Sequence, residues 1–267
     1  MSLTSLLKNS ADVRERFKSE FVMPPLGAVK DLAAPPLTPG VSPVGTAFDY
    51  LLRFYIERLN PESKVREWTA KAGADDFPEL VEKAKRAHKQ FLKDGKITDE
   101  LLRAVLYLAQ LEPLGRRFVD DSYLDKIGNI EPKDIQDLRK LISLVKPELF
   151  TAQSVCLLNP CFGRASELVG GADCDLVIDD CLIDIKTVKD LKVKPEYFNQ
   201  LVGYYVLFRI GGIDGQPGGH SIKRLGIYFS RHGYLWLVNV KDVVKEASLP
   251  LFIDWFKKRA KEAAQDA

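Results

Sequence analysis

The acidic residues of the segment GGADCDLVIDDCLIDIKT, which begins at Gly170, have the spacing of a shared β-hairpin face. If residues 179–180 form a two-residue turn, Asp175 lies directly opposite Asp184. Successive side chains alternate between the two faces of a strand. One face then carries Asp173, Asp175, Asp184 and Lys186, and the other carries Cys174, Leu176, Ile178, Cys181, Ile183 and Ile185.

The polar face predicts a divalent-metal site. Opposed positions have Cβ atoms only about 4.5–5.5 Å apart, so two carboxylates there repel each other. Mg²⁺ removes that repulsion, because it binds through one or two carboxylates together with phosphate oxygens and water. A neighbouring Lys186 can position an attacking water or offset developing negative charge. The competing interpretation is a solvated strand face on which Lys186 neutralises the acids.

The next helix adds a second polar pair. Periodicity predicts a helix over about 195–210, with Pro195 in its first turn. Gln200 and Tyr204 stand at i and i+4 and therefore share one face of it. The alternative is that Gln200 faces solvent and Tyr204 belongs to the core.

The combination D-(x)8-D-x-K, followed by a helix with Q-x-x-x-Y, resembles the PD-(D/E)xK nuclease superfamily. The Gln/Tyr helix is similar to its RecB-type branch, which includes the AddB-type and CRISPR-associated exonucleases. The resemblance covers about residues 154–240 and extends to the helix at 45–59. It implies a mixed α/β, restriction-endonuclease-like core, in which a central mixed sheet of about four strands is flanked by helices and carries a helical insertion.

The resemblance also implies an activity and roles. The activity is Mg²⁺- or Mn²⁺-dependent hydrolysis of DNA phosphodiester bonds, of the exonuclease kind. Asp175, Asp184 and the backbone carbonyl of Ile185 would bind the metal, and Lys186 would be the catalytic lysine. Gln200 and Tyr204 would lie beside the site and the DNA.

Two residues compete for a further metal-ligand role. Members of the RecB-type branch often carry a His on the first core helix, where this chain has Asp49. Asp49 can bind a divalent metal, or it can pair with Arg53 one turn later. Many superfamily members instead use a Glu ahead of the first Asp, and Glu167 has that position. Cys174 also replaces the Pro of the family pattern.

Pattern changes along the chain predict three parts. Residues 1–44 hold a short helix at about 11–21 and a proline-rich arm, and 45–150 form a helical region without β-type alternation. That region comprises helices at 45–59, 77–94, 98–111 and 132–145. Residues 151–267 form the α/β core, with three strands, a helix, a β-hairpin around the sequence RHG and C-terminal helices.

Charge and composition set the remaining expectations. The net charge of +2 excludes a globally basic, histone-like protein, but Lys189, Lys192 and Lys194 could follow DNA phosphates beside the site. A second basic cluster, at residues 83–96, is a candidate DNA-contacting flank. The four cysteines lack the spacing of an iron–sulfur cluster and are expected to be buried hydrophobes.

Location and partners follow from the same sequence. No apolar run is long enough for a membrane helix and no signal peptide is visible, so we expect a cytoplasmic protein that does not engage a membrane. A homo-oligomer or a larger nuclease complex is compatible with this. The alternatives to an enzyme are an inactive nucleic-acid-binding or assembly subunit of the same fold, or a structural module whose acidic face binds a regulatory metal or a protein.

Overall fold

The computed structural model describes residues 2–38, 42–73, 75–115, 119–216 and 219–265. It is a mixed α/β structure with a six-stranded sheet in the order β1-β2-β3-β4-β5-β6 and helices on both faces. The strands are β1 Lys64–Val65, β2 Cys156–Leu158, β3 Leu176–Ile178, β4 Cys181–Lys186, β5 Arg224–Phe229 and β6 Tyr234–Asn239. The helices are α1 Leu3–Asn9, α2 Ala11–Glu20, α3 Val44–Leu59, α4 Pro78–Asp94, α5 Asp99–Leu111, α6 Asp121–Leu124, α7 Pro132–Ser143, α8 Arg164–Glu167, α9 Pro195–Gly211, α10 Val240–Val243 and α11 Leu249–Gln265.

The predicted hairpin register is confirmed. β3 and β4 are antiparallel, and Leu176 pairs with Ile183 while Ile178 pairs with Cys181. Asp179 takes a positive φ of 50° in the turn, and its carboxylate accepts hydrogen bonds from the backbone N–H groups of residues 153–155. The turn is therefore fixed both by its own conformation and by the segment that leads into β2.

The other strands extend the hairpin into a mixed sheet. β2 pairs antiparallel with β3, β5 pairs parallel with β4, and β6 pairs antiparallel with β5. The parallel step between β4 and β5 requires a crossover, which α9 provides. The predicted helix at 195–210 and the hairpin around RHG are confirmed.

Local signals explain where the helices begin. Pro78, Pro132 and Pro195 occupy the first turns of α4, α7 and α9, where a missing N–H costs nothing. Thr98 caps α5 by accepting a hydrogen bond from the Leu101 N–H. Gly95 ends α4 in the left-handed conformation.

The sheet separates two apolar cores. Core A packs α3, α4, α5 and α7 against the face that carries Leu176, Ile178, Cys181, Ile183 and Ile185. Core B packs α1, α2, α9 and α11 against the opposite face, which carries Leu157, Val177 and Leu182.

The sequence-based prediction put Cys174 on the same face as Leu176, which is the face of core A. This prediction is wrong, because Cys174 packs in core B. Strand β3 begins only at Leu176, so the alternation does not extend back to Cys174.

Two further elements differ from the sequence-based expectation. Residues 45–146 are not purely helical, since β1 pairs in parallel with β2. The N-terminal region holds α1 ahead of the expected helix. A two-residue strand is too short to show alternation, and it exists only because β2 provides a partner.

The proline-rich arm packs against a buried ion pair between the β5–β6 turn and α7. Arg231, in the turn between β5 and β6, makes two hydrogen bonds of 2.8 and 2.9 Å to the Asp137 carboxylate on α7. The Ala34 N–H donates to the Arg231 carbonyl, and the Arg231 side chain donates to the Ala34 carbonyl. Among the described residues, no helix is both long and apolar enough to cross a bilayer.

Candidate active site

A cavity of about 400 Å³ lies where β3 and β4 emerge beyond their paired region. Helices from both faces of the sheet line it. Helix α3 contributes Asp49 and Arg53, and helix α9 contributes Gln200 and Tyr204. The other polar residues that line it include Thr4, Glu112, Asn159, Asp173, Asp175, Asp184 and Lys186. The cavity therefore gathers Asp49, Asp175, Asp184, Ile185, Lys186, Gln200 and Tyr204 from the predicted site residues.

The hairpin places a lysine and two aspartates at the centre. Asp184 is only 2 % exposed, and its Oδ2 lies 2.7 Å from Lys186 Nζ. Asp175 bends away at the start of β3, and its Oδ2 accepts a 2.6 Å hydrogen bond from the Ile185 N–H. Asp173 lines the same cavity but pairs with Cys161 through an isolated bridge, so it does not lie opposite Lys186, where a continued hairpin register would place it.

Helix α9 holds the lysine from the other side. Lys186 Nζ donates to Gln200 Oε1 at 2.8 Å, and Gln200 Nε2 donates to the Tyr204 hydroxyl at 2.9 Å. Gln200 Nε2 also reaches Thr4 Oγ1 of α1 at 3.3 Å. The Q-x-x-x-Y pair is thus part of a chain of hydrogen bonds that ends on the lysine of the D-x-K motif.

Tyr197 extends this helix face by one turn. Lys186 Nζ lies 5.3 Å from the centre of the Tyr197 ring, and Lys194 Nζ lies 5.6 Å from it. Both distances are within the range of a cation–π interaction. Tyr197 precedes Gln200 by three residues, so helical spacing could have indicated its position but not its role.

Asp49 forms the expected pair with Arg53 and also lines the cavity. Its Oδ2 lies 2.5 Å from Arg53 Nη2, and it also lines the cavity. The Arg53 guanidinium is 4.5 Å from the centre of the Tyr50 ring, and the Tyr50 hydroxyl bonds the Glu112 carboxylate. Glu112 follows α5 and carries no motif, so sequence reasoning missed it, as it missed Thr4.

The carboxyl groups raise one another's pKa values. Burial, followed by repulsion from Asp49 and Asp184, holds the pKa of Asp175 well above its usual value. Burial also raises the pKa of Asp184, although Lys186 opposes the shift. For Lys186, burial disfavours the charged form, but the nearby Asp184 and Asp175 carboxylates outweigh it and raise its pKa. The lysine therefore remains protonated at neutral pH.

The donor set fits a hard divalent cation. Carboxylate and carbonyl oxygens are the ligands of Mg²⁺ and Mn²⁺. Three mutually repelling carboxylates, those of Asp49, Asp175 and Asp184, face one enclosed space, and a cation there would reverse their interaction. In the described ranges no three His, Cys, Asp or Glu side chains already converge as a ligand group. Asp184 turns toward Lys186 and Asp175 toward the Ile185 N–H, so metal binding requires a local rearrangement.

Some predicted residues lie outside the cavity. Glu167 is exposed on α8 and does not line it, which makes Asp49 the better-placed additional ligand. Lys189 and Lys192 are exposed in the segment after β4, while Lys194 is half-buried beside Tyr197. These lysines flank the site without contributing to its walls.

The cysteines do not form one group. Cys156 and Cys181 pack in core A and Cys174 in core B. Cys161, which is half-buried, lies against the Asp214 carboxylate. Burial raises the pKa of Cys156 to about 12, as expected for a small buried hydrophobe rather than a thiolate ligand.

Comparison of the chain with protein-family models, with curated proteins and with solved structures gives no match.

Proposed function

We propose that this protein is a metal-dependent nuclease that hydrolyses DNA phosphodiester bonds, an exonuclease of the RecB type built on a restriction-endonuclease-like core. One observation carries the proposal. The Lys186 ammonium lies within 2.7 Å of Asp184 and 2.8 Å of Gln200, in the same cavity as Asp175. Two motifs that are separate in the sequence thus meet on one nitrogen atom.

The metal-binding residues would be Asp175, Asp184 and the carbonyl of Ile185, with Asp49 as the additional ligand. A Mg²⁺ or Mn²⁺ ion bound there supplies positive charge to the scissile phosphate and lowers the pKa of a water nucleophile. Arg53 pairs with the Asp49 carboxylate, which is close enough to Asp175 to raise the pKa of that residue. The cation–π contact with Tyr50 fixes the guanidinium in turn.

Lys186 acts as a fixed positive charge. Because its pKa is raised, it does not serve as a general base. It orients the attacking water and stabilises the negative charge that develops on the phosphate oxygens. Gln200 and Tyr204 keep the ammonium in place, which limits the reorganisation needed when that charge develops. A purely structural acidic surface or an inactive assembly subunit has no need of a lysine held in this way.

The test is DNA degradation by purified protein with Mn²⁺ or Mg²⁺. Wild type should degrade DNA, and Asp184→Ala and Lys186→Ala should not. Asp49→Asn should weaken both Mn²⁺ binding, measured by calorimetry, and cleavage. Glu167→Gln is the matched control and should leave both unchanged, because Glu167 lies outside the cavity.

Equal trace activity in wild type and both cavity variants would refute the enzyme. Mn²⁺-independent DNA binding without cleavage would instead support the inactive nucleic-acid-binding subunit. Loss of activity in Glu167→Gln but not in Asp49→Asn would reverse the assignment of the additional ligand.

A further inference from the structure

A second cavity lies beside the catalytic one. Thr69 lines the catalytic cavity, and its chain neighbour Trp68 lines a second cavity of about 370 Å³. The two cavities therefore lie on either side of the same short segment of backbone. The proposed catalytic residues make no use of the second cavity.

The second cavity has a fixed aromatic wall. Trp68 is half-buried, and its ring lies 5.3 Å from that of Phe54 and 5.4 Å from that of His88. His88 stacks on Phe54 at 4.0 Å and bonds Glu57 at 2.8 Å. Core packing therefore holds the indole in one orientation while part of it remains accessible to a ligand.

The surroundings of this wall are basic. Arg66 is exposed and makes no ion pair with any residue that the structure describes, whereas Lys71 and Lys85 pair with Glu67 and Glu82. Lys85 and His88 belong to α4, the helix that carries most of the basic cluster at residues 83–96. The other exposed cations of α4 are Lys83, Arg86, Lys89 and Lys93. The cavity thus has Trp68 on one wall and residues of the basic cluster on α4 on another.

We propose that this second cavity, the Trp68 subsite, binds one nucleotide of single-stranded DNA next to the nucleotide held in the catalytic cavity. The base stacks on Trp68, and its phosphate lies near Arg66 and the basic face of α4. The inference rests on the proposed nuclease function and specifies its substrate. A base in a duplex is already stacked and paired, so only an unpaired nucleotide can place its ring against an indole that lines a cavity.

Binding measurements test the subsite separately from cleavage. A fluorescein-labelled 15-nucleotide oligo(dT) and a labelled 15-base-pair duplex are titrated with protein in EDTA and in Ca²⁺, and anisotropy is recorded. Trp68→Leu should weaken oligo(dT) binding roughly 5- to 100-fold, the range seen when one base loses its aromatic partner, and leave duplex binding unchanged. Trp68→Phe should retain most of the affinity.

Matched controls come from α11, on the other side of the sheet. Trp255→Leu removes another half-buried indole and Lys258→Gln another exposed cation, and neither should change oligo(dT) affinity. Arg66→Gln should weaken binding and reduce the dependence of log K on log salt by about one unit. Circular dichroism of each variant checks that it is folded.

The outcomes separate the two proposals. Oligo(dT) binding that is insensitive to Trp68→Leu overturns the subsite and leaves the nuclease standing. Trp68-dependent binding without Mn²⁺-dependent cleavage supports the subsite and overturns the nuclease. A wild-type protein that binds only the duplex, or no DNA at all, overturns the subsite.

Discussion

Replacing Asp175 by Asn should stabilise the metal-free protein at neutral pH. The substitution keeps an oxygen that can accept the hydrogen bond from the Ile185 N–H and removes one of three crowded negative charges. For opposed carboxylates about 5 Å apart, an effective dielectric constant of about 20 gives a repulsion of about 3 kcal/mol. Attraction to Lys186 offsets part of this repulsion. We therefore expect the substitution to raise the free energy of unfolding by about 1–3 kcal/mol.

The sign of the pH dependence follows from the raised pKa of Asp175. Between the ordinary carboxyl pKa of about 3.9 and the raised value, the folded state binds more protons than the unfolded state. Asp175 therefore lowers the stability of the wild type as pH rises through that window. The advantage of Asp175→Asn should be largest at neutral pH and vanish near pH 4.

The assay is thermal unfolding in EDTA at pH 7.5 and at pH 4, followed by circular dichroism. The gain at pH 7.5 should raise Tm by about 2–8 °C for a chain of this size. With Mn²⁺ at about 100 times its Kd, wild type should gain about 2.7 kcal/mol and Asp175→Asn much less. Adding Mn²⁺ should therefore reduce or reverse the difference in Tm between Asp175→Asn and wild type.

Asp179→Asn is the matched control in the same hairpin. Although partial burial opposes ionisation, the N–H groups of residues 153–155 lower the pKa of Asp179. The ionised Asp179 carboxylate stabilises the folded protein at neutral pH. This stabilisation is lost as pH falls through the lowered pKa. Asn tolerates the positive φ at this position, so the variant should lose about 1–2 kcal/mol through weaker hydrogen bonds alone. A metal-free Asp175→Asn protein that is less stable than wild type at pH 7.5 would refute the reasoning.

Three further predictions concern the cavity lysine, its aromatic neighbour and the buried ion pair at the proline-rich arm. Lys186→Met should lower kcat about 10²- to 10³-fold while the protein still binds Mn²⁺, and intact metal-dependent cleavage would contradict its role. Tyr197→Leu should lower kcat about 2- to 30-fold by removing the cation–π contact, whereas Tyr197→Phe should behave like wild type in the same steady-state assay. Arg231→Met leaves the Asp137 carboxylate, which is 1 % exposed, without its partner, and urea unfolding should show a loss of about 3–5 kcal/mol.

Several parts of this architecture could be predicted because they depend on local pattern. Alternation around the turn at 179–180 is sufficient to predict that Leu176 pairs with Ile183, and it places Ile183 on the buried face of core A with Ile185. Helical spacing likewise places Gln200 and Tyr204 on one face of α9. In both cases the residues are close together in the sequence. The backbone geometry of one hairpin or one helix therefore fixes their relative positions.

Other features required the assembled chain. Cys174 lies two residues before β3, where the alternation no longer holds, and β1 exists only through its pairing with β2. Whether Asp49 or Glu167 lines the cavity depended on which helix packs over the open end of the hairpin. Such contacts cannot be predicted from sequence position, because they depend on how the helices pack against the sheet.

The sequence thus supplied the chemical groups, namely two opposed aspartates, a lysine and a Gln/Tyr helix face. Only tertiary packing joined them, by bringing Gln200 within 2.8 Å of Lys186 and laying Thr4 of α1 beside both. Packing also placed Trp68 beside Lys85 and His88 of α4 around a second cavity. The physical reason is that side-chain periodicity acts over one or two turns, whereas a cavity forms where elements distant in sequence meet around a common core.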